Sequence, residues 1–506
     1  MRVDEGRRPP SRRHLALFTV ALFVLSSAGC ATPPGSGTAD AIAQDSASKA
    51  PSYRDIDPSL WIESPETRAL DPHDGLIQPF RDRKARDRAD PEAPPAFEGE
   101  DRIAKEVRAT DAPWDPLEAV LPLDWDTIER LDPDGLEALR RSVRFRRVLS
   151  HPDFQIVEVA LAGGARLPAH ALAEPSAFHV LSGEAEFEVA DESIEATVGT
   201  TVKVEPYEVR AIRSISPEPL RALWFRWAPG GDETYLDFGY YLTGTNFHVQ
   251  PLEATFPENW SFWPEALRRP HRVEPRKTPD TPSEPAPETN EEAFLARQRQ
   301  ALGLYREALS PPQPLYPTSP RASDETKIPW IDFSNIAAAG FFWAGDAAAA
   351  GHYLDRWNEI ARMKGIFQAR NPGGRYDFNF SYIALGPMAK YVTHSHATPE
   401  FYYVLDGETE WIIEGDRFVA RAGHVYFHSP YDDHEMRGLL EGVPMRAITG
   451  SWAPFGDRSV WKQPGFLLEG LPDPDPAKAI PDTFDFHRFP RETVRFPEAG
   501  HASDRR

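Results

Sequence analysis

Short runs of β-forming residues, bounded by glycine or turn residues, dominate two stretches of the chain. Ile156-Val157-Glu158-Val159-Ala160-Leu161, Ala177-Phe178-His179-Val180-Leu181 and Glu186-Phe187-Glu188-Val189 are of this kind, and their length and spacing predict the strands of a sandwich or barrel. The block then recurs at a constant offset of 224 residues: Phe154 answers to Phe378, His170 to His394, Val180-Leu181 to Val404-Leu405, Gly183-Glu184 to Gly407-Glu408, Gly199 to Gly423 and Tyr207 to Tyr431. One inserted residue later, Trp227-Ala228-Pro229 answers to Trp452-Ala453-Pro454. So long an ungapped register predicts two copies of one β-barrel.

Helical signals are few. Asp132-Pro133-Asp134-Gly135-Leu136 offers an N-cap aspartate and a proline at the first helical position, which predicts a helix just before the first copy. A second is expected from Glu291 to Leu309, stopped by Pro311-Pro312, and a third from about Ala347 to Met363, where it would open the second copy as the Leu136 helix opens the first.

Periodicity is weak elsewhere. From Ala31 to about Pro113 the chain is rich in Pro, Ser, Ala and paired charges, and 51 prolines against 33 glycines overall imply long extended connections. The expected organisation is residues 1–29 a signal peptide, 30–113 a Pro-rich tether, 114–276 a first barrel, 277–324 a linker with one helix, 325–470 a second barrel and 471–506 a loose tail. The formal charge of −22 argues against nucleic acid or an anionic membrane face as partner, since both need a basic footprint. Cys30 is the single cysteine, so no intrachain disulfide forms. It follows Arg12-Arg13, an apolar run from Leu15 to Leu25 and Ser27-Ala28-Gly29, the layout of an export signal too short to span a bilayer. This resembles a bacterial lipoprotein signal, with Cys30 as the residue to be lipidated, and Ser11-Arg12-Arg13-His14-Leu15 resembles a twin-arginine motif. A protein lipid-anchored to the cell envelope, facing the periplasm or exterior, is expected.

The chemistry concentrates between Gly386 and His434. Five of the fifteen histidines fall from His394 to His434. His394 and His396 share one face of a strand, and with a carboxylate at Glu400 and a later histidine at His434 they form a donor set for one divalent transition metal. Fe, Mn, Ni, Co or Zn would suit it, with positions left open for substrate. In the first copy only His170 survives, with Leu172, Ser176 and Arg210 standing where His396, Glu400 and His434 stand in the second.

The spacing Gly386-x7-His394-x-His396-x3-Glu400-x6-Gly407, followed by Gly423-x10-His434, resembles the two cupin motifs, and the paired copies resemble a bicupin. The resemblance implies an all-β fold of two cupin barrels (double-stranded β-helix, jelly roll), with His394, His396, Glu400 and His434 as metal ligands. Ser429 and Tyr431 stand where the second motif usually has proline and glycine. More narrowly, His394-x-His396-x3-Glu400-x-Tyr402, with Glu410-Trp411 and Phe427-His428-Ser429-Pro430, resembles the cupin dimethylsulfoniopropionate (DMSP) lyases. That resemblance implies a carboxylate substrate held at the metal and Tyr402 as the base that removes its α-proton. Trp411 and Tyr426 would then offer aromatic faces to a sulfonium cation. An iron-dependent bicupin dioxygenase and a non-enzymatic ligand-binding envelope lipoprotein are the competing readings. A small-molecule substrate is expected throughout, in a monomer or homodimer.

Overall fold

The computed structural model describes residues 106–108, 113–231, 233–237, 239–242, 291–308, 315–317, 319–330, 343–344, 361–370, 376–462 and 465–467. The expected signal peptide with Cys30, nearly all of the tether and the C-terminal tail lie outside the described residues. None of the described helices is long and apolar enough to cross a membrane.

These runs form four sheets, two for each barrel. In the first barrel one sheet runs, in spatial order, Ala322–Asp324, Thr200–Val204, Ser176–Ser182, Leu220–Trp227, Phe154–Leu161 and Val143–His151, and the facing sheet runs Gly239–Tyr241, Arg166–Leu172, Val209–Ser214, Ala185–Val189 and Glu192–Ala196. The second barrel repeats this with Glu106–Arg108, His424–His428, Glu400–Asp406, Met445–Trp452, Tyr376–Leu385 and Ala361–Arg370. Its facing sheet is Trp343–Ala344, Gly465–Leu467, Lys390–Ser395, His434–Gly438, Thr409–Ile413 and Asp416–Ala420. Both are antiparallel jelly-roll barrels apart from the short parallel pair Trp343–Ala344 with Gly465–Leu467.

Backbone detail follows the repeat. Tyr431 takes φ +64° and Tyr207 φ +60°, and their N–H groups donate to the carbonyls of His396 (2.7 Å) and Leu172 (2.8 Å). A tyrosine in the left-handed region costs roughly 1 kcal/mol relative to glycine, yet the turn before His434 closes as it does before Arg210.

The edge strands are exchanged between barrels. Glu106–Arg108, ahead of the first barrel in sequence, pairs with His424–His428 of the second, and Ala322–Asp324, ahead of the second, pairs with Thr200–Val204 of the first. The registers are equivalent, Arg108 opposite His424 and Asp324 opposite Thr200, His424 and Thr200 being repeat counterparts 224 residues apart. One edge of each of these two sheets is thereby covered by the other copy's arm, which removes an open pairing surface there. Aromatic residues at repeat-equivalent positions fill the junction: Phe154 lies 4.9 Å from Phe378 and stacks on Trp452 at 4.5 Å, while Trp227 lies 5.3 Å from Phe378. Polar atoms there are paired symmetrically too. Trp452 Nε1 donates to Asp153 across the junction, and Trp227 Nε1 donates to Tyr316, whose hydroxyl donates to Asp377.

The helix Pro133–Ser142 starts as expected, Asp132 accepting from the Gly135 N–H at 2.9 Å. The linker helix spans Glu291–Ala308, and its buried residues Phe294, Gln298 and Leu302 recur every four positions, a stripe laid against the first barrel. The third expected helix, Ala347 to Met363, is corrected where it is described. Ala361, Arg362 and Met363 begin the strand Ala361–Arg370, paired with Leu385, Ala384 and Ile383. Ladder hydrogen bonds and a half-buried sheet face outweigh local helix preference there; residues 347–360 lie outside the described residues.

Candidate metal centre

Four strands of the second barrel converge on one point. Glu400 begins the strand Glu400–Asp406, directly opposite His428, the last residue of His424–His428. His434 begins the strand that pairs with Lys390–Ser395, and its register partner is His394. His396 follows the end of that strand, and Thr449 comes from Met445–Trp452.

One donor atom from each of His396, Glu400, His428 and His434 lies within 4.8 Å of the others, a group able to hold a metal ion. His428 and His434 are buried, while the His396 and Glu400 side chains keep 20 % and 14 % exposure, so the group opens to solvent on their side. Glu400 Oε2 is 3.3 Å from His396 Nε2 and 3.2 Å from His428 Nε2. It also accepts from the Tyr402 hydroxyl at 3.1 Å, and Oε1 accepts from Thr449 Oγ1 at 2.8 Å.

The imidazoles are oriented from behind. His396 Nδ1 is 2.9 Å from the Thr398 carbonyl and His434 Nδ1 is 2.8 Å from the Asp432 carbonyl. A Nδ1–H bonded to a carbonyl leaves the Nε2 lone pair for an ion, the usual support of a metal-ligating histidine. The buried Nε2 of His434 has no hydrogen-bond partner. Buried polar atoms are seldom left so unless something else binds them.

Electrostatics agree with a cation site. Burial pushes the Glu400 carboxyl up, but hydrogen bonds and charge from His396 and His428 outweigh it and hold the group well below the usual carboxylate range. Burial pushes His428 down despite Glu400. It pushes His434 well down, with help from the neighbouring imidazoles. An anionic carboxylate at Glu400 and a neutral imidazole at His434 are protonation states a metal needs.

The sequence-derived residues fall into place unevenly. His396, Glu400 and His434 come together. His394 is buried, its ring 4.1 Å from that of His434 and 5.6 Å from that of His396, but it is not one of the four grouped donors. His428, given no role from sequence, takes that place, its ring stacked 3.6 Å from that of His434. The repeat held a signal for it, since the first copy has Val204 opposite Ser176 where the second has His428 opposite Glu400.

Tyr402 is adjacent to the cluster. Its phenol is pushed well above the ordinary range by burial and then by the Glu400 carboxylate, so it is a proton donor as it stands. Trp411 packs on Tyr402 at 4.4 Å and stacks on Tyr426 at 5.2 Å. Both are fully buried within the barrel's apolar core. The first barrel fills the same interior differently, with Phe178 at the place of Tyr402 and Trp224 at that of Thr449, stacked at 5.4 Å.

Residues 381–449 match the family model of the cupin domain (Cupin_2). No curated protein matches the chain. Among solved structures, the chain is similar to oxalate decarboxylase from Bacillus subtilis at 13 % identity and a TM-score of 0.39, covering 73 % of this chain and 82 % of that one. It is also similar to AerE from Microcystis aeruginosa at 10 % identity and a TM-score of 0.35, covering 62 % and 94 %. A cupin 2 conserved barrel domain protein from Leptotrichia buccalis shows 9 % identity and a TM-score of 0.31, over 69 % and 97 %.

Proposed function

We propose that the second barrel is the active site of a metal-dependent cupin enzyme acting on a small carboxylate. The observation that carries this reading is the convergence of His396, Glu400, His428 and His434 around one point, with the His434 Nε2 buried and unpartnered. A divalent ion held there would supply a Lewis-acid anchor for a substrate carboxylate and a positive charge that favours an anionic oxygen nearby.

The chain's own groups supply the rest. Glu400 stays anionic and receives Thr449 and Tyr402, which fixes its carboxylate plane. His396 and Glu400, the two partly exposed donors, face the side from which substrate arrives. The finer reading is a C–S lyase of the DMSP type. Tyr402, as phenolate, takes the α-proton on its hydroxyl oxygen, the electron pair forms the carbon–carbon double bond, and the C–S bond breaks to release dimethyl sulfide and acrylate. Its supports are the sequence string His394-x-His396-x3-Glu400-x-Tyr402 and the 3.1 Å separation of Tyr402 from Glu400. Burial and Glu400 hold the phenol protonated without a cation beside it, so base activity by Tyr402 depends on the loaded site.

The test is a screen of small carboxylates on metal-loaded protein with and without oxygen, with metal content measured in parallel. The expected result is anaerobic release of an unsaturated acid, with Tyr402→Phe inactive yet still metal-bound. Full activity in Tyr402→Phe removes the proposed base, and turnover only with oxygen uptake assigns oxidation instead.

A further inference from the structure

The first barrel carries a charged cluster at the point equivalent to the metal centre. Arg210 is the register partner of His170, as His434 is of His394, and Arg210 is 0 % exposed. Its Nη1 donates to Ser176 Oγ at 2.8 Å, Ser176 being the counterpart of Glu400. Its Nε and Nη2 are buried and have no hydrogen-bond partner. These two N–H groups form the side-on edge of a guanidinium, the edge that grips a carboxylate with two parallel hydrogen bonds. Three residues on, Arg213 uses that edge on Glu186 Oε2 at 3.0 and 2.6 Å.

No carboxylate of the described residues satisfies the Arg210 edge. Glu174, fully buried, is bound by Arg226 Nε at 3.0 Å, makes no hydrogen bond to Arg210, and keeps Oε2 unpartnered. Two buried guanidiniums thus share one carboxylate. A buried cation lacking a full complement of partners is costly, and an anion at its open edge relieves that cost. Burial, opposed by Glu174, lowers Arg210 only to about 10, so it is charged at neutral pH.

His170 completes the set. Its Nδ1 lies 2.8 Å from the Pro168 carbonyl, which leaves Nε2 as a lone pair, buried and without a partner. Burial, then the charge of Arg210, pushes His170 down to about 3, so Nε2 accepts hydrogen bonds and does not donate them. The unpartnered atoms are therefore a two-pronged cationic donor and an acceptor beside it.

We propose that the first barrel binds a small hydroxycarboxylate, its carboxylate on the Nε–Nη2 edge of Arg210 and its hydroxyl donating to His170 Nε2. The chain's own guanidinium would hold an anion where the sister barrel gathers metal donors. This rests on the Arg210 geometry and not on the activity proposed for the second barrel.

The test uses the full chain carrying His396→Ala and His434→Ala, so that the second barrel offers no competing metal site. It is titrated with sodium glycolate, against sodium chloride at equal ionic strength, by calorimetry and thermal unfolding. Saturable binding approaching one glycolate per chain is expected, with a rise in Tm that chloride does not reproduce. Adding Arg210→Met should weaken that binding at least about tenfold, the loss of one or more charge-assisted hydrogen bonds. Arg210→Lys, which keeps the charge and lacks the fork, serves if the methionine variant does not fold, and it too should bind more weakly. No saturable binding in the chain that retains Arg210, or unchanged affinity in the folded variant, overturns the proposal.

Discussion

Glu400→Gln keeps the outline of the side chain and removes the one negative charge of the metal donor group. In the metal-free protein the carboxylate accepts from Thr449 at 2.8 Å, Tyr402 at 3.1 Å and His428 at 3.2 Å. An amide has only one acceptor oxygen. If that oxygen faces Thr449, the amide nitrogen confronts the Tyr402 and His428 donors. Losing two hydrogen bonds to a charged group at roughly 1.5–3 kcal/mol each, less what a rotated Tyr402 hydroxyl recovers, gives a net cost of about 2–3 kcal/mol. For a unit of barrel size that is a fall in Tm of roughly 5–10 °C. The pH dependence has a definite sign. His396 and His428 hold the folded-state carboxyl below its ordinary value, against burial, so the stabilisation is fully present above the unfolded pKa of about 4.3 and is lost as pH falls through the lower folded value. The gap between wild type and variant should therefore close on acidification below about pH 4. Scanning calorimetry in chelator at pH 7 and at steps toward pH 3 measures it. Equal Tm at pH 7, or a gap that widens in acid, refutes the reasoning.

Two further outcomes follow from the geometry. His428→Ala should weaken metal binding at least about tenfold, and by more than His394→Ala does, because His428 is one of the four grouped donors; a metal titration showing the reverse order restores the set drawn from sequence. Gly407→Ala should cost clearly more than Gly415→Ala. Both positions have φ above +80°, worth about 1 kcal/mol, but a Cβ on Gly407 meets the Pro444 carbonyl at 2.8 Å while one on Gly415 meets nothing within 4 Å. Denaturant unfolding of the two variants compares them, and equal losses would mean the turn at Gly407 relaxes freely.

The architecture was legible because repetition is a one-dimensional signal. Phe154 and Phe378, or Gly183 and Gly407, sit at matched turns and strands in both copies, so an offset along the chain translated into two barrels of one topology. The Asp132-Pro133 cap was legible for a similar reason, since a helix start is written within four residues. The expected helix reaching Met363 was not, because Ala361, Arg362 and Met363 are fixed by pairing with Leu385, Ala384 and Ile383, contacts that local propensity does not contain.

The candidate site divides in the same way. His396, Glu400 and His434 could be chosen from spacing and from their loss in the first copy, because strand geometry ties those numbers to one face. His428 was marked in the repeat only by its change to Val204, and its place beside Glu400 came from the register of two strands; that His394 lies outside the donor group came from the positions of the ligand atoms. Sequence alone determined that there are two barrels and that one carries the metal donors. The tertiary structure decided which histidines share a point, that the barrels exchange edge strands, and that Arg210 is buried with its fork open. Those outcomes depend on strand register and burial, which bring residues far apart in the chain within hydrogen-bonding reach.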